Sequence, residues 1–353
     1  MTRIPKIDVH THILPPDLPR FREKFGYSPF MELQRPGRPG SPGSCAAQLV
    51  WDDGRFIRNV EPNLWDDETR LKECDELGVD IQVLSTVPAM FSYGAKGTDG
   101  LEVSKFLNDH IAAVCERHPG RFVGLGTLPM QDPKLAVREL DRCMGDLGLA
   151  GVQIGSHIGP MNLSDPALFE VFQACENLGA AVFVHPWDMM GEAQLPKYWL
   201  PWLVSMPAEV SRAISSLIFG GVFERLPDLR CCFAHGGGSF PATIGRIDQG
   251  FRARPDLCAV DNDVLPSKYL GRFFVDSLAY EPRAFKLVRE VIGDLRICLG
   301  SDYPFPLGEE RPGTLIESLE KEGVLDASIK KRYFFENALE WLGLSAAEFG
   351  LPT

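Results

Sequence analysis

Apolar residues gather into eight short runs along this chain, and stretches with helical periodicity lie between most of them. The runs cover residues 7–12, 79–86, 121–128, 151–155, 180–186, 230–236, 273–278 and 296–302. Helical patterns occupy 66–77, 101–117, 133–147, 166–178, 207–223 and 282–292, and 313–353 reads as helical with an irregular end. Regular β-α alternation predicts parallel strands, and eight of them is the number that closes a (β/α)8 TIM-type barrel. A doubly wound open sheet would carry a glycine-rich phosphate turn after an early strand. Here the first strand runs into His10-Thr11-His12-Ile13-Leu14-Pro15, and Gly236-Gly237-Gly238 has the wrong spacing for that turn. The expected fold class is therefore α/β, a single barrel domain over 1–353 with extra C-terminal helices.

Residues 14–64 break the alternation. Pro15, Pro16 and Pro19 are followed by a proline- and glycine-rich run at 35–43, which suits neither helix nor central strand. Asp53-Gly54 then separates two β-prone runs, a hairpin signal. The segment reads as an inserted hairpin after strand one, placed over the barrel mouth.

Composition narrows the partners. A net charge of -12 without a sustained basic run argues against nucleic acid and anionic membrane surfaces, and no apolar run approaches a membrane span. The nine cysteines are scattered without a C-x-x-C pair and read as reduced thiols. The opening Met-Thr-Arg-Ile-Pro is not an apolar leader, so the expected location is the cytosol. An acidic protein that takes an anionic substrate needs locally placed arginines.

In a barrel the strand C-termini share one rim, where active sites form. Of seven histidines, His10 and His12 end strand one, His185 ends strand five and His235 ends strand six, while Asp302 ends strand eight. Alternation along a strand puts His10 and His12 on one face with Asp8. Isolated, such a pair often just satisfies hydrogen bonds. Four histidines and an aspartate on one rim make a stronger case. Three imidazoles and a carboxylate suit zinc with an open position, and His10, His12, His185 and Asp302 fill that set. His235 is then either a fifth ligand or an acid/base group, since imidazole titrates near neutrality. The glycines after it permit close approach of substrate or backbone. His157 reads as a minor lining residue, Asp188 as a turn cap, and His110 and His118 as surface residues.

The runs I-D-V-H-T-H-I-L-P (7–15), L-S-T-V-P-A-M-F-S-Y (84–93), F-V-H-P-W-D-M (183–189), K-Y-W-L-P-W-L-V (197–204), C-F-A-H-G-G-G (232–238) and L-G-S-D-Y-P-F-P-L-G (299–308) resemble the metal-dependent decarboxylases of the amidohydrolase superfamily. The resemblance covers about residues 6–345. It implies non-oxidative loss of carbon dioxide from a small dicarboxylate, with one zinc ion per subunit on His10, His12, His185 and Asp302. It further implies His235 as acid/base, with Asp302 catalytic as well as ligating. Arg58 is implied to meet a substrate carboxylate, and Arg246 to reach a neighbouring subunit's site in a homodimer. Trp199, Trp202, Met189 and Phe305 match positions that line the family pocket. The alternatives within the same chemistry are decarboxylation of an aromatic acid and hydrolysis of an amide or lactone. The 14–64 insertion, with its proline-glycine run, departs from the family pattern.

Overall fold

The computed structural model describes residues 3–35 and 46–351. Most of the proline-glycine run at 35–43 lies outside the described residues. Eight parallel strands follow one another around a barrel: β1 (Ile7–Ile13), β2 (Ile81–Thr86), β3 (Phe122–Thr127), β4 (Gly151–Gly155), β5 (Ala181–His185), β6 (Arg230–Phe233), β7 (Phe274–Asp276) and β8 (Ile297–Cys298). The seam between first and last strand is closed by backbone bonds, Val9 N to Leu299 O at 2.9 Å and Asp302 N to His10 O at 2.8 Å. A third, His12 N to Tyr303 O at 2.8 Å, continues it to the rim. The seam therefore fixes His10, His12 and Asp302 relative to one another.

Helices appear where the pattern places them because their ends are chemically marked. Asp66 caps Asp67–Leu77 through Thr69 N, and Asp132 caps Pro133–Gly145 through Leu135 N with proline at the first turn. Pro282–Ile292 buries Phe285, Val288 and Ile292, one face at helical spacing, against the strands. Inside the barrel Ile7, Val9, Val83, Leu125 and Phe183 pack together, and the C-terminal helix Asn337–Leu342 closes the far end with Trp341, whose ring lies 5.8 Å from that of Phe183. The opposite rim, where the strand C-termini lie, is the end that this helix leaves uncovered. No helix among the described residues is long and apolar enough to cross a membrane.

The insertion is larger than a hairpin. Ala47–Trp51 and Phe56–Val60 pair antiparallel as expected, but Met31–Gln34 adds a third strand on the other side of Ala47–Trp51. That pairing joins segments separated by the proline-glycine run, so no local periodicity announces it. Phe30, Met31, Leu49 and Val60 bury against Val87 and Met90 after β2 and against Val103 and Leu107 of helix Gly97–Arg117. This packing holds the small sheet over the rim.

Candidate active site

Asp302 Oδ1 lies 3.3 Å from His10 Nε2 and 3.2 Å from His12 Nε2, and its Oδ2 lies 3.7 Å from His235 Nε2. The His185 ring is 5.0 Å from that of His12 and 5.3 Å from that of His235. All five predicted residues therefore meet at one point, and all are buried. His235 and Asp302 hold left-handed backbone, φ 56 and 60, which costs a non-glycine residue roughly 1–3 kcal/mol. Such strain persists only where surrounding contacts enforce it. The glycines after His235 serve backbone rather than substrate: a Cβ on Gly238 would sit 2.2 Å from Pro207 O of helix Met206–Phe219, which precedes β6.

One ligand atom from each of His10, His185, His235 and Asp302 lies within 4.8 Å of the others, so distance alone admits His235 to a metal set in place of His12. Hydrogen bonding separates them. His10 Nδ1 bonds Asp276 Oδ2 at 2.7 Å, His12 Nδ1 bonds Thr86 O at 3.0 Å, and His185 Nδ1 bonds Pro186 O at 2.7 Å. Each outer nitrogen is thus held as the donor, leaving Nε2 with a free lone pair aimed inward. Metal-ligating histidines are built in this way. The three Nε2 atoms and Asp302 Oδ1 are buried without a hydrogen-bond partner. Orphaned buried acceptors are costly unless something fills the space between them, and a divalent cation fits that need. His235 differs, because neither of its ring nitrogens has a partner. Nothing fixes its tautomer, which suits a proton carrier better than a ligand.

The electrostatics show the cluster's demand for positive charge, which either a proton on His10 or a cation meets. Burial depresses the His10 imidazole, but the Asp302 charge, then the contacts with Asp276 and Asp302, outweigh it and raise the pKa to about 10. Burial opposes charge on Asp302, yet His10, His12 and His235 hold its carboxyl well below the usual range. Burial pushes His12 down and His185 far down. The pocket therefore keeps two carboxylates ionised and calls for positive charge between them. Below it, burial raises Asp8 to about 7 while Ser301 Oγ and the Ser301 and His10 amides bind it. Asp8 ties β1 to the turn carrying Asp302 rather than facing the cavity.

A cavity of about 430 Å³ opens above the cluster, with His185 and Asp302 at its base. Arg58, Met189, Trp199, Trp202 and Phe305, the positions the family resemblance implied, line it. Trp199 and Trp202 stack at 6.0 Å. The Arg58 guanidinium lies 4.3 Å over the Phe305 ring, and its Nη1 is buried without a partner. Burial lowers its pKa, while the charge of Asp302 raises it. Arg246 is not brought to this cavity; it is exposed on helix Phe240–Ala253.

Three histidine expectations need correction. His157 does not line the cavity; its ring is held between Gly159 O at 2.8 Å and Asp188 O at 3.2 Å, bracing the loop after β5. His118 is not a free surface residue, since it meets Asp67 at 2.9 Å. His110 is half-buried, and burial, with the Arg117 charge second, pushes it down to about 4. Sequence reasoning also missed Asp276, which ends β7 and is fully buried against His10. A search of every strand end, rather than of the histidine-bearing ones, would have found it.

The amidohydrolase family pattern matches residues 7–344. The chain is 52% identical to a 2-amino-3-carboxymuconate-6-semialdehyde decarboxylase from Dictyostelium discoideum, over 98% of this chain and 93% of that one. It is 37% identical to the enzyme of the same name from Caenorhabditis elegans, over 96% and 94%. Among solved structures, 5-carboxyvanillate decarboxylase from Sphingomonas paucimobilis superposes with a TM-score of 0.78 at 23% identity, over 97% of this chain and 100% of that one. The enzyme of that name from Novosphingobium aromaticivorans, complexed with manganese, gives 0.74 at 21% identity over 96% of each chain. A buried imidazole-carboxylate cluster on a barrel rim and near full-length identity lead to one conclusion: the chain belongs to the amidohydrolase family, as a metal-dependent decarboxylase akin to the 2-amino-3-carboxymuconate-6-semialdehyde decarboxylases.

Proposed function

We propose that this protein converts 2-amino-3-carboxymuconate 6-semialdehyde into 2-aminomuconate 6-semialdehyde and carbon dioxide, a non-oxidative step of tryptophan breakdown through kynurenine that diverts carbon from quinolinate. One zinc ion per subunit would be held by His10, His12, His185 and Asp302. The observation that carries the reading is the set of three inward, unpartnered Nε2 atoms and Asp302 Oδ1 at the base of a cavity that also holds an unpaired guanidinium. Three nitrogen donors and one carboxylate favour zinc over manganese, which prefers oxygen. Bound there, the ion supplies Lewis acidity without redox change.

The chain's own residues do the rest. Arg58 takes a substrate carboxylate in a charge-assisted fork. Trp199, Trp202, Met189 and Phe305 flank the flat conjugated chain and exclude water. His235 delivers a proton to the carbon that loses its carboxylate; the carbon–carbon bond breaks, its electron pair stays on that carbon, and carbon dioxide leaves. Asp302, 3.7 Å from His235 Nε2, stabilises the protonated imidazole. The chain works as one barrel domain in the cytosol. A homodimer, with Arg246 entering the neighbouring site, accounts for the exposed Tyr198, Trp199, Leu203 and Val204 beside the cavity mouth. The stacked tryptophans give one reason to weigh an aromatic carboxylic acid as the substrate instead.

Purified protein loaded with zinc, or separately with manganese, should be assayed on the semialdehyde and on 2,6-dihydroxybenzoate. Rapid chelator-sensitive loss of semialdehyde absorbance with carbon dioxide release is expected, faster with zinc. A folded, metal-replete protein that turns over only the aromatic acid would overturn the substrate.

A further inference from the structure

Asp276 is fully buried at the end of β7, and its carboxylate accepts four hydrogen bonds. Oδ2 takes His10 Nδ1 at 2.7 Å and the His235 amide at 2.8 Å. Oδ1 takes the Gly236 amide at 2.7 Å and the Leu278 amide at 3.0 Å. Only the Leu278 bond serves its own strand end. The other three reach two different parts of the site: the ring of a proposed metal ligand, and the left-handed turn at His235 (φ 56) and Gly236 (φ 61).

We propose that Asp276 is a positioning residue that sets two imidazoles at once. Through His10 Nδ1 it fixes the tautomer that offers Nε2 to the metal. Through the amides of His235 and Gly236 it stabilises the strained turn that points the His235 ring at Asp302. Two adjacent amides converging on one carboxylate form a local anion-binding arrangement that offsets the strain. Because a single oxygen serves both His10 and His235, the metal ligand and the proton carrier cannot drift apart independently. A residue that merely capped β7 would need neither link.

The inference rests on the proposed ligand set, and the Asp276→Asn variant tests it. An amide has one acceptor oxygen, so whichever way it turns, two donors among His10, His235, Gly236 and Leu278 face an NH2 group. If that group faces His10, the ring must accept at Nδ1, carry its proton on Nε2, and lose its ligating lone pair. Zinc affinity, read by competition with a chromophoric chelator, should fall about 10–100-fold. At saturating zinc, kcat should still be reduced at least about 10-fold with KM nearly unchanged, because His235 remains misaimed. The visible absorption of the cobalt-substituted variant should change in band position, reporting altered ligand geometry. A variant with wild-type affinity and wild-type kcat overturns the proposal. Weakened affinity with wild-type kcat at saturating zinc overturns the link to His235.

Should the variant fail to fold, nitrogen-15 NMR of histidine-labelled, zinc-loaded wild-type protein decides the first link. His10 carrying its proton on Nδ1, in slow exchange with water, is expected; a proton on Nε2 overturns it. Wild-type protein that binds no metal would instead sink the ligand set itself. The two failures are therefore distinguishable.

Discussion

At the rim, His10, His12 and His185 are buried, each with its outer nitrogen tied to a carboxylate or a backbone carbonyl. In the wall above, Trp199 is 42% exposed with φ 56, and the Arg58 Nη1 has no partner. Both regions touch the same cavity, but they are positioned by different means. The rim groups sit on strands whose ladder and closing seam leave them no freedom. The wall comes from an inserted sheet and the loop after β5, whose fixings are apolar contacts and a few polar braces. Reaction type should therefore be set at the rim and substrate choice in the wall.

The sharpest way to break this division is to remove a proposed rim ligand. His185→Ala should lower metal affinity by more than the roughly 10–100-fold typical of losing an outer-shell partner, and turnover should fall to background. Metal content after dialysis, with circular dichroism as a folding control, checks it. Near wild-type metal content would move His185 out of the set.

Arg58→Ala comes next. A charge-assisted hydrogen bond is worth about 1.5–3 kcal/mol, so kcat/KM should fall roughly 10–100-fold with metal content intact. Arg58→Lys should recover part of that loss, since the charge returns without the fork. If Arg58→Ala also lost its metal, wall and rim would not be separable. Trp199→Ala should be milder, a few-fold rise in KM with kcat nearly kept, because a half-exposed ring contributes on the order of 1 kcal/mol. A large fall in kcat would place this residue in the chemistry.

The smallest effect concerns the base of the insertion, where His110 lies beside Trp65 and Pro16. Its folded pKa is pushed down to about 4, below the unfolded value near 6.5. Between those values the unfolded chain binds a proton that the folded one refuses, so stability falls as pH drops from about 6.5 to 4. His110→Gln should flatten that slope by roughly 1–3 kcal/mol in urea titrations across the window. An unchanged slope would mean that His110 titrates normally.

The rim was largely legible in the sequence because polar residues at the ends of apolar strands stand out against their surroundings. His10, His12, His185, His235 and Asp302 all met as their strand positions required. Asp276 escaped because it lies on a strand without a histidine, and its importance comes from contacts with residues 266 and 41 positions away. The wall was less legible. Strand Met31–Gln34 pairs across the proline-glycine run, and a non-local pairing leaves no period in the chain. The burial of His110 and the His118–Asp67 pair were also hidden, since they arise between elements rather than within them. Arg58 was placed in the cavity by resemblance, and only the fold shows it unpaired there.

The measurement that bears most directly on the division between three fixed imidazoles, proposed as ligands, and one free imidazole is the metal stoichiometry of His235→Ala, determined alongside its turnover. The account predicts one metal ion per chain, as in the wild type, with decarboxylation reduced about 100-fold or more, the usual span of a lost acid/base group. Parallel loss of metal and activity would make His235 a ligand and contradict the account.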